Sequence, residues 1–348
     1  MQDIITDLRW RGLIHQTTDD DNLAKWLMEK PRTLYAGFDP TSDSLHVGSL
    51  LPLITLRRFQ KAGHRPIALV GGATGMIGDP SGKSEERNLL DVDQLQRNVD
   101  GMAAQMQRFL DFESDSAAIL VNNHDWMKKF SYLEFLRDIG KNFPVNVMMG
   151  KDSVKSRLEG ESGISYTEFS YMLLQAYDFV HLHGEHGCEL QIGGSDQWGN
   201  ITAGIDLARR MHSVQLFGLT MPLLLTSDGR KMGKTERGAV WLSAEKTSPY
   251  EFYQYWMNVA DDDAGKCLRT LTELSREEIE SLDTSRQSEP QKRESQKRLA
   301  EALTQMVHGE EGLATAQRAT EVFFGAEISD LSDAQLAQIF ADVPSKEL

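Results

Sequence analysis

The chain has 348 residues, enough for a large core and for two domains. It is 40% hydrophobic and 26% charged, a soluble globular profile, and its net charge of −15 excludes a protein that coats nucleic acid through bulk charge while leaving room for local basic patches. Only Cys188 and Cys267 occur, so a disulfide framework is excluded and a reducing compartment fits. The opening MQDIITDLRWRGLIHQ carries Asp3 and Asp7 and no long apolar core, so it is not a signal peptide, and runs such as LLPLITL are too short to span a bilayer. A cytoplasmic protein with no membrane or DNA partner is expected.

TLYAGF (33–38) reads as a short buried strand. The loop DPTSDSLHVGSL (39–50) runs from it into a helix from about Val47 to Ala62, with apolar residues at 50, 51, 53, 54, 56 and 59 and Gly63 placed to end it. RPIALVGG (65–72) reads as a second buried strand, which completes a strand–helix–strand unit long enough for a parallel crossover. The helix N-terminus, with its unpaired N–H groups and partial positive charge, then faces the end of the first strand and suits phosphate or nucleotide. Thr41 and His46 would add donors there, and Gly48 would let a ligand approach the backbone. The plainer reading makes Ser44 a helix cap and His46 a surface residue.

GGATGMIGDPSGKSEER (71–87) ends in GKS, but a P-loop needs glycine at position 77, which is Ile77. Its glycines still imply close backbone approach. Asp79 is a candidate anchor for a ligand cation, and Lys83 and Arg87 are candidate phosphate clamps, against the alternative of a glycine-rich surface loop. AAILVNN (117–123) and CELQIGG (188–194) also read as strands, with helices between, which points to an open α/β sheet. In ISYTEFSYMLLQAYDF (164–179), Ser165 and Glu168 form a capping-box pattern. Tyr171, Gln175 and Asp178 share one face of that helix, as a solvated stripe or the lining of a buried polar pocket.

HLHGEHGCEL brings His181, His183, His186 and Cys188 together, but their spacing matches no common zinc pattern, so a surface loop beside a strand is favoured over a metal site. IGGSDQWGN (192–200) follows a strand end with Asp196 and Gln197, a place for a ribose or small polar ligand to meet backbone. In SDGRKMGKTE (227–236), Lys231 and Lys234 could close over phosphates, although a pair of loop lysines is more often just solvated. From Pro249 onward strand signals give way to amphipathic helices, so an all-helical domain is expected from near Thr247. Residues 261–348 hold 19 acidic and 10 basic residues, so any RNA contact there has to be local.

Together these stretches resemble the bacterial tyrosyl-tRNA synthetases, a branch of the class I aminoacyl-tRNA synthetases. HVGS is similar to the first class signature, HIGH, and KMGKT to the second, KMSKS. YAGFDPT, GGATGMIGDPSG, YTEFSYMLLQAYDF and QIGGSDQWGNITAG match the family nearly residue for residue, and the likeness runs from about Asp7 to the C-terminus. The resemblance implies an α/β fold: a Rossmann-like doubly wound parallel sheet with a helical insertion, then a smaller all-α domain. It places the catalytic domain at 1–226 with a dimer-forming insertion at about 124–187, a mobile signature loop and linker at 227–246, and an anticodon-side helical domain at 247–348 ending in a linker.

It implies tyrosine, ATP with Mg2+, and tRNA-Tyr as partners, a homodimer, and no tightly bound metal. The substrate phenol falls to Tyr35 and Asp178, its ammonium to Asp79, Tyr171 and Gln175, and its carboxylate to Gln197. ATP falls to Gly37, Asp39, Gly48 and Ser49, with Gly194 and Asp196 at the ribose and Leu224 against the adenine. Thr41 and His46 meet the γ-phosphate, and Lys83, Arg87, Lys231, Lys234 and Thr235 clamp pyrophosphate. Ser49 stands where the signature has its second histidine and Ala36 where many relatives have cysteine, so rearranged sugar contacts are expected. Tryptophanyl-tRNA synthetase shares the architecture, but Tyr35 with Asp178 suits a phenol; an inactive RNA-binding or splicing relative would not need His46, Asp79, Lys231 and Lys234 intact. Bacterial relatives usually continue as a small basic RNA-binding module, which the ending ADVPSKEL lacks. Normal adenylate formation with weak tRNA charging is therefore expected, with Lys151, Lys155, Arg209 and Arg210 as the remaining basic patch.

Overall fold

The computed structural model describes residues 3–81, 91–160, 163–236 and 238–323. The chain divides into two compact units: Met1–Asp43 with Pro52–Leu223, and Ser44–Leu51 with Leu224–Leu348.

The first unit is built on a sheet of six strands, β1 (Gln16–Thr17), β2 (Thr33–Phe38), β3 (Arg65–Val70), β4 (Ile119–Asn122), β5 (Cys188–Gly194) and β6 (Phe217–Met221), in the order β1-β6-β5-β2-β3-β4. The strands from β2 to β6 pair in parallel, and β1 adds an antiparallel edge through Gln16↔Thr220 and Thr17↔Leu219. Central strands covered on both faces need continuous apolar runs. β3 accordingly buries every residue after Arg65, and β6 is buried throughout. The chain winds outward from β2 in one direction through β3 and β4 and in the other through β5 and β6. That reversal between β2 and β5 is where a crevice opens outside the carboxyl ends of the strands.

Helix α1 (Val47–Lys61) follows β2 and closes with Gly63 at φ 95°, a left-handed conformation that glycine holds without strain. Pro52 lies inside it and has no N–H to give the Gly48 carbonyl, and the division between the two units falls at this proline. Helix α2 (Val92–Met106) precedes β4, and α3 (Tyr166–His186) and α4 (Trp198–His212) flank β5. Tyr35, Ile67, Leu69, Phe179, Leu182 and Leu207 share one buried cluster, in which each full-sized apolar side chain contributes roughly 1.5–3 kcal/mol.

Ser165 caps α3 by accepting from the Glu168 N–H. The Glu168 side chain does not complete the expected capping box. It turns inward to Arg157, 2.7 Å away, in an ion pair whose side chains are 1% and 4% exposed. A buried guanidinium outcompetes a helix-start backbone N–H for that carboxylate. The His181–Cys188 stretch is likewise not a surface loop. It is the end of α3, closed by Gly187 at φ 60°, running directly into β5 at Cys188; His183 Nδ1 meets the Cys188 carbonyl and His181 stacks on Trp126.

In the second unit the described residues from Pro249 are helical: α5 (Pro249–Met257), α6 (Asp261–Leu271), α7 (Arg276–Ser288) and α8 (Glu294–Phe323). Ser248 caps α5, with Pro249 at its first position, where a missing N–H costs nothing. α8 is interrupted at Gly309, whose φ of 76° and ψ of −177° lie in a region essentially reserved for glycine.

Candidate active site

Polar side chains beyond the carboxyl ends of β2, β3 and β4, with two from α3, form a continuous hydrogen-bonded chain in the first unit. Tyr171 donates its hydroxyl to Asp39 Oδ2 at 2.9 Å, and Asp39 Oδ1 accepts from Thr74 Oγ1 at 2.8 Å. Asn123 Nδ2 donates to Thr74 Oγ1 and to Asp178 Oδ2, each at 3.0 Å, while Trp126 Nε1 donates to Asp178 Oδ1 at 2.8 Å. The Ala73 N–H holds the other end of the Asn123 amide at 2.7 Å. Burial pushes the Asp178 carboxyl up to about 8, against the pull of the Asn123 and Trp126 hydrogen bonds and with the help of the Asp39 charge. Tyr35 and Tyr171 are raised well above the usual phenol range, by burial first and by the nearby carboxylates second. The Tyr35 hydroxyl is buried, feels the Asp178 charge, and has no hydrogen-bond partner among the described residues.

A second network adjoins it. Gln197 Nε2 donates to Asp79 Oδ2 at 2.7 Å, and Gln197 Oε1 accepts from Gln175 and from Asn200, each at 3.2 Å. The Ser81 N–H fixes Asp79 Oδ1 at 2.9 Å. The polar stripe of α3 thus faces inward: Tyr171 and Asp178 are buried and Gln175 is half-buried.

The glycines of the 71–75 loop do mark a close approach to the backbone, as their number implied. A Cβ on Gly71 would lie 2.3 Å from Asp39 Oδ1 and from Thr74 Oγ1, one on Gly72 2.3 Å from Asn122 Oδ1, and one on Gly75 2.9 Å from Pro40. The close approach comes from the chain's own side chains, and these glycines make room for the polar network. Gly194 is similar, since a Cβ there would meet Asp196 Oδ1 at 2.6 Å. Gly37 is the exposed residue in an otherwise largely buried β2, Thr41 is exposed, and Ala36 is buried.

The second unit brings both signature segments together. The Val47 N–H donates to the Val240 carbonyl at 3.0 Å, the Leu242 N–H to the Leu45 carbonyl at 2.8 Å, and the Val240 N–H to the Gly233 carbonyl at 2.8 Å. Gly233, at φ 81°, lies so close that a Cβ would sit 2.6 Å from Val47 Cβ, which explains glycine at the middle of KMGKT. The Gly48 N–H donates to His46 Nδ1 at 3.0 Å. In the neutral ring that bond leaves the proton on Nε2, making Nε2 a donor. The space over Gly48 is again used by the chain itself, because a Cβ would meet His46 Cε1 at 2.8 Å. Ser49 donates its N–H to the His46 carbonyl at 2.8 Å. Leu224 accepts from the Met232 N–H at 2.9 Å, Thr235 Oγ1 donates to the Gly238 carbonyl at 3.1 Å, and Lys231 and Lys234 are exposed. Lys83 and Arg87 lie outside the described residues.

The family profile described as tRNA synthetases class I (W and Y) matches residues 28–325. The tyrosine--tRNA ligase of Rhodopirellula baltica is 68% identical over 342 residues, covering 98% of this chain and 78% of that one. The chain belongs to the class I tyrosyl-tRNA synthetases. The tyrosine--tRNA ligase of Staphylococcus haemolyticus is 55% identical over 346 residues, covering 99% of this chain and 82% of that one. Among solved structures, a C-terminally truncated mitochondrial tyrosyl-tRNA synthetase from Aspergillus nidulans superposes with a TM-score of 0.84 at 31% identity, covering 93% of this chain and 95% of that chain. A tryptophanyl-tRNA synthetase from Plasmodium falciparum, at 16% identity and TM-score 0.64, shares the fold.

Sequence reasoning about the tyrosyl-tRNA synthetase motifs missed Asn123, Trp126, Thr74 and Asn200. The available signal was the polar pair Asn122–Asn123 at the end of β4. Trp126 fell inside a segment expected to be dimer-forming, yet it is 6% exposed and turned to Asp178. Among the described residues no group of three or more His, Cys, Asp or Glu side chains is placed to hold a metal ion, and no helix is long and apolar enough to cross a membrane.

Proposed function

We propose that the buried network of the first unit holds tyrosine and that the two signature segments hold the phosphates of ATP. The family fixes the reaction: tyrosine and ATP give tyrosyl-adenylate and pyrophosphate, and the tyrosyl group then passes to the 3′-terminal adenosine of tRNA-Tyr. One observation carries the assignment of the amino-acid pocket, the buried Tyr35 hydroxyl without a partner beside a carboxyl that two donors already orient. A substrate phenol satisfies both groups by donating to Asp178 and accepting from Tyr35. Asp79, Tyr171 and Gln175 meet its ammonium, and Gln197, already bonded to Asp79 and Gln175, lies at its carboxylate.

That carboxylate is the nucleophile and is ionised at neutral pH, so the site needs no base. Catalysis rests on alignment and on stabilising charge at the α-phosphate and the departing pyrophosphate. His46 offers an Nε2–H donor and, with Thr41, faces the γ-phosphate; Lys83, Arg87, Lys231, Lys234 and Thr235 clamp pyrophosphate. Gly37, Asp39, Gly48, Ser49, Gly194, Asp196 and Leu224 contact the nucleoside. Magnesium enters with ATP as part of the substrate.

The test is ATP–pyrophosphate exchange driven by each amino acid in turn. Exchange is expected with tyrosine, with no measurable support from tryptophan and very weak support from phenylalanine. Tyrosyl-tRNA synthetases as a class reject phenylalanine by about 10⁵, because a site built around the hydroxyl leaves its buried polar groups unpaired when the hydroxyl is missing. Exchange driven equally well by phenylalanine would sink the phenol assignment.

The chain works as a homodimer in this reading. Tyr132, Leu133, Val145, Val147 and Met149, all within residues 132–149, are 64%, 75%, 58%, 47% and 48% exposed, a high share of uncovered apolar side chains for so short a stretch. Light scattering at micromolar concentration should return twice the 39.1 kDa chain mass, and a monomer there would refute the assignment. Lys151, Lys155, Arg209 and Arg210 are the proposed acceptor-stem patch. The two cysteines, both unbridged and buried, support a reducing cytoplasmic location.

A further inference from the structure

The loop that carries Lys231 and Lys234 is tied to the helical region by side chains that belong to no signature. The Gly233 N–H donates to the Tyr255 hydroxyl of α5 at 2.7 Å. The Ser227 N–H donates to Asp263 Oδ1 of α6 at 2.7 Å, and the Ser227 hydroxyl approaches Asp263 Oδ2 at 3.4 Å. Lys266, one helical turn further along α6, donates to the Leu225 carbonyl at 2.9 Å. Beneath the loop the Met232 side chain is buried, its sulfur 3.3 Å from Cys267 Sγ.

These bonds grip backbone groups on both arms of the loop, at 225 and 227 on one side and at 233 on the other. Between them the tip residues Asp228 to Lys231 are exposed. The tip is a closed turn, with the Thr226 N–H on the Arg230 carbonyl at 2.8 Å and the Gly229 N–H on the Thr226 carbonyl at 2.9 Å, so the freedom left to it is to move as a unit on its two arms. Each exposed lysine side chain also has much rotamer freedom to lose when it meets a ligand. Fixing the backbone on both sides removes part of that entropic cost before any phosphate arrives. The anchors are well made for this. Asp263 is 5% exposed in the first turn of α6, where the helix dipole favours a carboxylate, and a charged acceptor on a backbone N–H is a strong tether.

We propose that Tyr255, Asp263 and Lys266 are positioning residues that hold the Lys231–Lys234 loop in the conformation used for adenylate formation. This rests on the reading of those lysines as pyrophosphate clamps. It also makes the rate of amino-acid activation depend on helices that hold none of the signature motifs.

Tyr255→Phe keeps the ring and removes only the hydroxyl, and Asp263→Asn keeps the shape and removes the charge. Two measurements are needed on the full chain: pyrophosphate exchange resolved into kcat and the KM for tyrosine, and the rate of tryptic cleavage after Arg230, Lys231 and Lys234. Each variant should lower kcat by about 10-fold, the scale of one lost hydrogen bond. The KM for tyrosine should stay unchanged, and the loop should be cut faster. Thermal unfolding separates this from general damage. A variant that loses Tm and tyrosine affinity together, with no selective fall in kcat, would overturn the proposal, as would parental cleavage and parental kcat in both variants. Lys231→Ala serves as the control. If it retains parental exchange while Tyr255→Phe is cut faster, the assignment of the lysines fails and the mooring of the loop stands.

Discussion

Replacing Asp178 by alanine is expected to lower kcat/KM for tyrosine activation by about 10²-fold or more. The carboxyl accepts from Asn123 and Trp126, and in the proposed pocket it also accepts from the substrate phenol. Removing it leaves the phenol, one N–H of the Asn123 amide and the Trp126 indole without an acceptor in a buried site, while the other Asn123 N–H keeps Thr74. Each such unsatisfied donor costs about 1–3 kcal/mol, and roughly 3 kcal/mol of that falling on the bound state gives the stated factor. The loss should lie mainly in the KM for tyrosine, because the phenol is far from the reacting carboxylate and binds alike in ground and transition states. Unchanged exchange kinetics in Asp178→Ala would remove the phenol assignment.

The same residue gives a signature in stability. An aspartate in the unfolded chain ionises near its ordinary 3.8, whereas folded Asp178 keeps its proton up to about 8. Between those values the native state binds more protons than the unfolded state. The contribution of Asp178 to stability is therefore highest at low pH and falls as pH rises through that window. Thermal unfolding of the ligand-free protein and of Asp178→Ala should show the difference in Tm moving in favour of the variant from pH 4 to 8. A difference that stays flat would mean that the carboxyl is not held protonated by burial.

The second large effect concerns Lys231 and Lys234. Each alanine variant should slow adenylate formation by roughly 10²–10³, the range for losing one preorganised donor to developing charge. The KM for tyrosine should move little, since negative charge gathers on the departing pyrophosphate only as the reaction proceeds. The double variant should lose less than the product of the single losses if both lysines act on the same group. Pre-steady-state measurement of adenylate formation separates the step from product release. A pure loss of tyrosine binding in either variant would contradict the assignment. The contrast is the useful part: Asp178 should change mainly affinity, and the loop lysines mainly rate.

Local pattern in the sequence determined a good deal. The strands at Thr33–Phe38, Arg65–Val70, Ile119–Asn122 and Cys188–Gly194, the helix from Val47 and its glycine stop, and the helical character after Pro249 could all be read from apolar periodicity and caps. Each of these signals is contained within a few turns or one pleat. The quoted motifs were enough to name the family, because so many matches in order leave little room for chance. β6 was missed because Gly218 interrupts a short run, and β1 because two residues carry no periodicity. Their pairing is a property of the fold, joining Gln16 to Thr220 across most of the first unit.

Tertiary structure alone decided how the polar groups are satisfied. That Asn123 and Trp126 orient Asp178 from 55 and 52 residues away cannot be seen in either segment by itself. The inward turn of Glu168 to Arg157 depends on a buried cation that the capping pattern does not contain. The glycines at 71, 72 and 75 show in the sequence that something approaches closely, but only the packing shows that it is Asp39, Thr74, Asn122 and Pro40. His46 and Gly233 likewise meet in one unit through backbone bonds across about two hundred residues of chain. Sequence pattern reports which local conformations are cheap. Which buried donor finds which acceptor depends on distances that exist only once the chain has folded.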